Sequence, residues 1–414
     1  MSTLSAVTPA VDPSKRIAPA HASAPVPRRR LFRVVGASGG LVTIVAAEGG
    51  AVRAVDQGVF ATGEGRAYAP WRDWDGTAGD GLLNLLRAAV LASNAHNAQP
   101  WLFAVDATGI DLFADLSRST GANDPLDREL VVSLGCALEN IALAAGPNGF
   151  AATVTPYPDP AEPTYAARVE LTPIEPAGSA LYAAIPDRHA NRAAYKDDPV
   201  SAETLAALAA LNVDSDIDVV WLTSPEQMRS FADLTILATE TFIADTEQSV
   251  DSFAWWRGDW DELQREKDGI SPDAAGLPAL TRAFVTLMPD LSRAKSDEAW
   301  LKATKDPQLS STAAFGVLVA RDHRSDAQRL QVGRLWQRMH LRATVAGLAM
   351  QPLNQTVERR DRELSHEIAP DIGDSLAALL PDPGWQAVMP FRIGYPEETA
   401  LKSPRRPTAN VLLA

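Results

Sequence analysis

The chain has 414 residues, 46% of them hydrophobic and 22% charged, with a formal net charge of −14; this is the composition of a folded protein with enough apolar mass for a large core, and its length admits two or three domains. The acidic balance sets nucleic acid aside as a partner, because such partners demand a basic face. The single cysteine, Cys136, leaves no intrachain disulfide and reads as a small buried hydrophobe, and the six histidines show no HxxxH or CxxC spacing, which argues against a zinc site.

The first 33 residues run against the acidic trend, with Lys15, Arg16, Arg28, Arg29, Arg30 and Arg33 against Asp12 alone. Residues 1–27, rich in Ala, Ser and Pro and without periodicity, are expected to be disordered. Arg28–Arg33 then precedes a weakly apolar, Gly/Ala-rich run, which predicts a twin-arginine export signal within residues 1–55. Such a signal would hand a folded, cofactor-loaded protein to the twin-arginine machinery, for the periplasm or beyond. The alternative is a cytoplasmic chain with a basic tail, since Glu48 interrupts or closely follows the run. The run is too short and glycine-rich for a good membrane-spanning helix.

Residues 56–80 read as a linker or arm carrying Trp71 and Trp74. A first lobe is expected over 81–178. Leu82, Leu83, Leu86, Ala89 and Val90 recur at helical spacing; Leu102–Val105 and Ile110–Phe113 form a hairpin around Asp106–Gly109; and Glu129–Ala145 is a helix stopped by Gly146-Pro147. Strands follow at 151–155 and 166–171. A proline-rich break at 173–176 opens a second lobe over 179–414, with helices near 179–186, 201–211, 225–247 and 327–350 and strands at 219–223, 315–320 and 388–395. Residues 251–300 are less regular, hold Trp255, Trp256 and Trp260, and are expected to form a lid whose indoles either cover a flat ring or simply pack. No Gly-x-Gly-x-x-Gly strand–turn–helix unit appears, so the expected class is α+β rather than Rossmann.

Four segments hold the polar residues of interest. Ser93-Asn94-Ala95-His96-Asn97-Ala98-Gln99-Pro100-Trp101 lies between a helix and a strand, where polar groups either cap the helix or face a ligand. Arg188-His189-Ala190-Asn191-Arg192 places two cations four residues apart, which by itself fits a solvated helix end. Gln351-Pro352-Leu353-Asn354-Gln355 follows the strongest helix as a loop, and Pro404-Arg405-Arg406-Pro407 begins a basic tail.

Taken in this order, the segments resemble the nitroreductase superfamily, and in particular its Acg branch of FMN-binding proteins. The resemblance spans roughly residues 60–414 and includes Arg118, Asp124-Pro125, Arg128-Glu129 and Leu134–Asn140, which read as helix packing and capping. It implies a nitroreductase-like fold, internally duplicated so that one chain mimics the usual homodimer and works as a monomer. One FMN would lie between the lobes. Arg188 matches the family's phosphate-binding arginine, whose planar fork suits a phosphate dianion. Arg192 matches the cation near flavin N1 and O2. Ala190 replaces the usual hydroxyl residue, so His189 or Asn191 would supply the missing contact. Asn94, His96, Asn97 and Gln99 would lie over the ring; Pro352, Leu353, Asn354 and Gln355 would present backbone amides to N5 and O4. Arg405, with Arg406 as the second choice, would close on the phosphate.

The resemblance further implies reduction of a small nitroaromatic or quinone-type acceptor by NAD(P)H, with the chemistry carried by the flavin and no catalytic side chain or metal required. A rival within the same branch is storage or sequestration of FMN under a lid. Oxygen-dependent flavin fragmentation, known in more distant cousins, finds no specific residue in this sequence.

Overall fold

Two four-stranded antiparallel sheets and two long helices frame most of the chain. The computed structural model describes residues 30–35, 41–46, 50–75 and 81–413. The chain divides into two compact units, Met1–Arg53 and Ala54–Ala414. In the first, β1 (Arg30–Val35) and β2 (Leu41–Ala46) form an antiparallel hairpin with Arg30 opposite Ala46. The disordered stretch expected over 1–27 and the arginine pair Arg28-Arg29 lie outside the described residues.

The chain enters the second unit within α1 (Gly50–Asp56) and continues through the short α2 (Ala69–Arg72) to α3 (Leu83–Ala89). The expected arm is in fact packed: Tyr68 and Trp71 are buried, and Trp71 Nε1 donates to Ser403 O at 2.7 Å. The first sheet has the order β3 (Trp101–Val105), β4 (Gly109–Ala114), β6 (Tyr165–Pro173), β5 (Phe150–Pro156). The β3–β4 turn forms because Asp106 Oδ1 accepts from the amides of Thr108 and Gly109. The second sheet has the order β7 (Ile217–Leu222), β8 (Ala314–Ala320), β10 (Gln386–Gly394), β9 (Ala349–Pro352). Every residue of β8 is buried, as its unbroken apolar sequence requires of a strand covered on both faces.

Between the sheets cross α4 (Arg128–Ala145) and α12 (Asp326–Val345). They meet backbone to backbone at Gly135 and Gly333. A Cβ on Gly135 would stand 2.1 Å from Leu330 O, and one on Gly333 would stand 2.0 Å from Val132 O. The contact is reciprocal, each glycine facing a carbonyl three residues before its counterpart. One core joins both sheets and both long helices. A second core on the outer face of the second sheet packs Leu222, Phe231, Val317 and Leu353 under α7 (Pro225–Ala244), α13 (Gln355–Ser365) and α14 (Asp371–Ala378).

Several expectations shift. Residues 251–300 are largely helical: α8 (Thr246–Phe253), α9 (Trp260–Glu266), α10 (Ala279–Leu287) and α11 (Arg293–Ala303). The helix expected to reach residue 350 ends at Val345, and Met350 instead pairs with Ile393 in the second sheet. Gln351 and Pro352 end that strand, and Gln355 begins α13, so 351–355 is a strand-to-helix junction rather than an open loop.

Candidate functional site

A cavity of about 380 Å³ opens where α4, α12, the 93–96 segment and the 351–355 junction converge beneath α8, α10 and α11. On α4, Glu129, Val132, Ser133 and Cys136 line it, at the spacing of one helical face. Trp336 of α12 closes the floor, and its Nε1 donates to Ser93 Oγ at 3.0 Å.

The 93–99 segment is held in a costly conformation. His96, Asn97 and Gln99 have φ of 48°, 56° and 55°, a region that costs a non-glycine residue about 1–3 kcal/mol. Side chains enforce it. Asn94 Oδ1 accepts from Gln99 N at 2.8 Å, and Ser133 Oγ accepts from Ala95 N at 3.1 Å while donating to Glu129 O at 2.6 Å. This clamps His96 against the start of α4. Burial and the Arg192 charge lower the His96 pKa, against the pull of Glu129.

A buried basic cluster is built on the 91–97 segment, and Arg188, His189, Asn97 and Arg405 in it are not among the residues that line the cavity. Arg188 donates to Leu91 O at 3.1 Å and lies 3.4 Å from His340 Nδ1. Arg405 donates to Asn97 Oδ1, Ser403 Oγ and, at 3.4 Å, Ala92 O. The adjacent carbonyls of Leu91 and Ala92 therefore hold both guanidiniums. Arg188 is 2% and Arg405 3% exposed, and the Nε of each has no hydrogen-bond partner. Among the described residues no carboxylate forms an ion pair with either. Burial holds the Arg188 pKa at about 10, and burial together with Arg188 drives that of Arg405 well below the usual guanidinium range. His189, stacked edge-on against Trp71, is pushed well down by burial and by both arginines. A buried pair of cations without an anion is costly, and its orphaned donors fit a phosphate.

Arg392 of β10 aims the second basic segment. It is fully buried, lies 3.9 Å over the Tyr195 ring, and donates to Gln351 Oε1 at 2.7 Å, Ala193 O at 2.7 Å and Asn191 O at 3.2 Å. The carbonyls flanking Arg192 are thus turned toward Arg392. Arg192 lines the cavity and donates to Ala274 O at 2.9 Å. Sequence reasoning missed Arg392; a lone arginine in a strand gives no signal of this role.

The other expected residues divide. Asn94, His96, Arg192, Pro352, Asn354 and Gln355 line the cavity. Asn97 sits in the basic cluster and joins it to the 93–99 segment. Gln99 instead stitches chain segments together, donating to Lys267 O and accepting from Arg406 N. Asn191 bonds Glu398 O and Ala193 N. Leu353 faces the second core. Arg406 turns away from Arg405 toward Asp115 at 3.6 Å and Gln99 O. None of these last four lines the cavity: Gln99, Asn191 and Arg406 bond backbone groups elsewhere, mostly distant in sequence, and Leu353 packs in the apolar core.

The 251–300 segment, expected to be a lid, lines the cavity through Phe253, Trp256, Phe284, Met288 and Trp300. Of the three indoles singled out in the sequence, only Trp256 does so. Trp255 lies beneath Arg118 and Arg257, and Trp260 packs on Gly58. The 251–300 segment is tied to the rest of the chain: Asp268 bonds Arg118 as well as Arg257, and Gly269 N donates to Asn97 O at 3.3 Å.

A cluster that the sequence did not reveal lies at one end of the cavity. Donor atoms of His96, Glu129 and Glu358 lie within 4.8 Å of one another. Burial and the adjacent Glu129 push the Glu358 carboxyl well above the ordinary carboxylate range.

No family model matches the chain. Over 279 residues, 66% of this chain and 76% of the relative, it is 29% identical to a Mycobacterium tuberculosis protein provisionally named an NAD(P)H nitroreductase. It is 23% identical over 338 residues to the acg protein of the same organism, also provisionally named an NAD(P)H nitroreductase, covering 80% of this chain and 95% of that one. The chain is therefore similar, over most of its length, to proteins of the nitroreductase superfamily. An FMN-bound nitroreductase from Desulfitobacterium hafniense aligns with 57% of this chain and 99% of its own at 15% identity, with a TM-score of 0.34, too loose a superposition to carry an argument.

Proposed function

We propose that the chain is an FMN-binding oxidoreductase that accepts electrons from NAD(P)H and passes them to a small acceptor of nitroaromatic or quinone type. The carrying observation is the buried Arg188–Arg405 cluster, which among the described residues holds cationic donors without an acid and is built on the 91–97 segment, whose residues 93–96 line the same cavity as Arg192. Arg188, Arg405 and His189 would hold the phosphate. Arg192, Asn94, His96 and the 352–355 junction would surround the ring. When bound, the flavin supplies the centre that accepts and donates hydride. The chain's own part is electrostatic and steric. Arg192, held in place by Arg392, favours negative charge near it. Phe253, Trp256 and Trp300 exclude water from the cavity.

The fastened lid supports a second reading, storage of FMN with little turnover. Anaerobic mixing with NADPH separates the two. Rapid bleaching of a yellow protein supports the oxidoreductase; slow reduction by dithionite alone supports storage. A colourless protein that takes up no added FMN removes both.

The reciprocal Gly135–Gly333 contact and the paired sheets support descent from a duplicated, dimer-like ancestor, and a monomer on a sizing column is the expected state. The arginine-rich start of the chain supports export; processed protein outside the cytoplasm would fit, and intact cytoplasmic protein would remove it.

A further inference from the structure

We propose that His96, Glu129 and Glu358 form a binding site for one divalent transition-metal ion, such as Mn²⁺, Fe²⁺ or Zn²⁺, at the acidic end of the cavity. One imidazole and two carboxylates are a donor set such ions accept. The three come from separate elements: the 93–99 segment, the first turn of α4 and the first turn of α13. All three line the same cavity, so an ion could reach them. Their donor atoms lie within 4.8 Å of one another; a shared ion with bonds of about 2.0–2.2 Å would draw the outermost slightly closer.

Two observations beyond the cluster point to a bound cation. First, Glu129 is 3% exposed, and its Oε1 accepts no hydrogen bond. Its nearest cation, Arg128 Nη2, stands off at 3.5 Å. Gln355, 5% exposed and one turn before Glu358 on the same helical face, also lines the cavity with an Oε1 that accepts nothing. Second, the neighbouring guanidiniums spend most of their donors elsewhere. Arg128 Nε and Arg360 Nη2 each bond Asp361 at 2.6 Å, and an Nη1 of each bonds the carbonyl of Val388 or Ala387, which leaves Arg128 Nη2 without a hydrogen bond and 3.5 Å from Glu129 Oε1. Asp124 is satisfied by the amides of Glu129 and Leu130 at 3.0 and 2.9 Å. Among the described residues, Glu129 thus has only the long Arg128 pair, and Glu358 has no ion pair. Buried carboxylates in that position are paired, protonated or bound to metal.

The metal and flavin readings fail independently, because metal content and flavin absorbance are separate measurements. Tag-free full-length protein would be stripped with EDTA, incubated with Mn²⁺ or Zn²⁺ and desalted. The expected result is about one equivalent of metal per chain by mass spectrometry, with a raised Tm that EDTA reverses. His96→Ala and Glu358→Gln should each lower retention about tenfold or more. Should either variant fail to fold, the EDTA-reversible Tm shift of the unaltered chain still decides. No retained metal with an unchanged Tm overturns the site and leaves shared protons to balance the two carboxylates. Equal retention by the parent and by folded variants also overturns it, as binding elsewhere.

Discussion

Arg188 and Arg405 are buried against the 91–97 segment, outside the cavity lining, and Glu129 and Glu358 line the cavity itself; both pairs are buried ionisable groups in excess, but their surroundings differ. The basic pair is held by main-chain carbonyls and a few neutral side-chain acceptors, and, among the described residues, by no acid. The acidic pair sits beside an ion network, Arg128–Asp361–Arg360, that is committed mainly to Asp361 and offers the pair only Arg128 Nη2, 3.5 Å from Glu129 Oε1. A network closed on itself is built for stability. A charge left open beside it is built for a ligand, because burial without compensation costs several kcal/mol that only a partner recovers.

The largest effect should come from breaking the closed network. Asp361→Ala leaves two buried guanidiniums uncompensated and should cost about 3–5 kcal/mol in chemical denaturation; a loss under about 1 kcal/mol would show that solvent reaches Arg128 and Arg360 and that the contrast is false. Arg188→Met tests the open side. The cofactor-free protein should keep or gain stability, while FMN binding should weaken by about 1.5–3 kcal/mol, roughly tenfold to a hundredfold. Titration of stripped protein with FMN, paired with a melting curve, reads both signs. Unchanged affinity removes Arg188 from the phosphate site.

Local pattern made much of the frame legible. The α4 stripe, the Asp106–Gly109 turn and the apolar β8 each carry their signal within a few residues, and the structure has all three. The failures share one cause. α13, with sequence QTVERRDRELS, reads as solvated surface, yet residues 355–363 are buried because their charges pair with Asp245, Arg128 and main-chain groups far away in sequence. Glu358 was invisible for that reason, and Glu129 passed for a capping residue. Arg188 and Arg192 were legible only through family resemblance; by composition alone they would be an exposed helix end. The β9 strand was absorbed into the preceding helix because Gly347 is its only local punctuation.

Gly276 sets how closely the 251–300 segment approaches Arg192. Its φ is +73°, and a Cβ there would stand 2.4 Å from the Arg192 carbonyl carbon. Gly276→Ala should cost about 1–3 kcal/mol from strain and speed FMN release in a stopped-flow exchange. Stability lost without faster release would detach the lid from the flavin site.

The smallest effect reports on the closed network itself. His323 is half-buried, and burial, followed by the Arg360 charge, lowers its pKa to about 4. Because this lies below the value near 6.5 expected of the unfolded chain, the unfolded state takes up the proton first. Stability should therefore be unaffected by this group above about pH 6.5 and fall as pH drops toward 4. After allowance for solvent screening, the loss at pH 5 should be about 1 kcal/mol. Urea denaturation at pH 7 and pH 5 measures it, and His323→Gln should abolish that increment. If Arg360 is instead open to solvent, its repulsion is screened and the His323 titration moves back toward 6.5, which would place the boundary of the closed network inside Arg360 rather than beyond it.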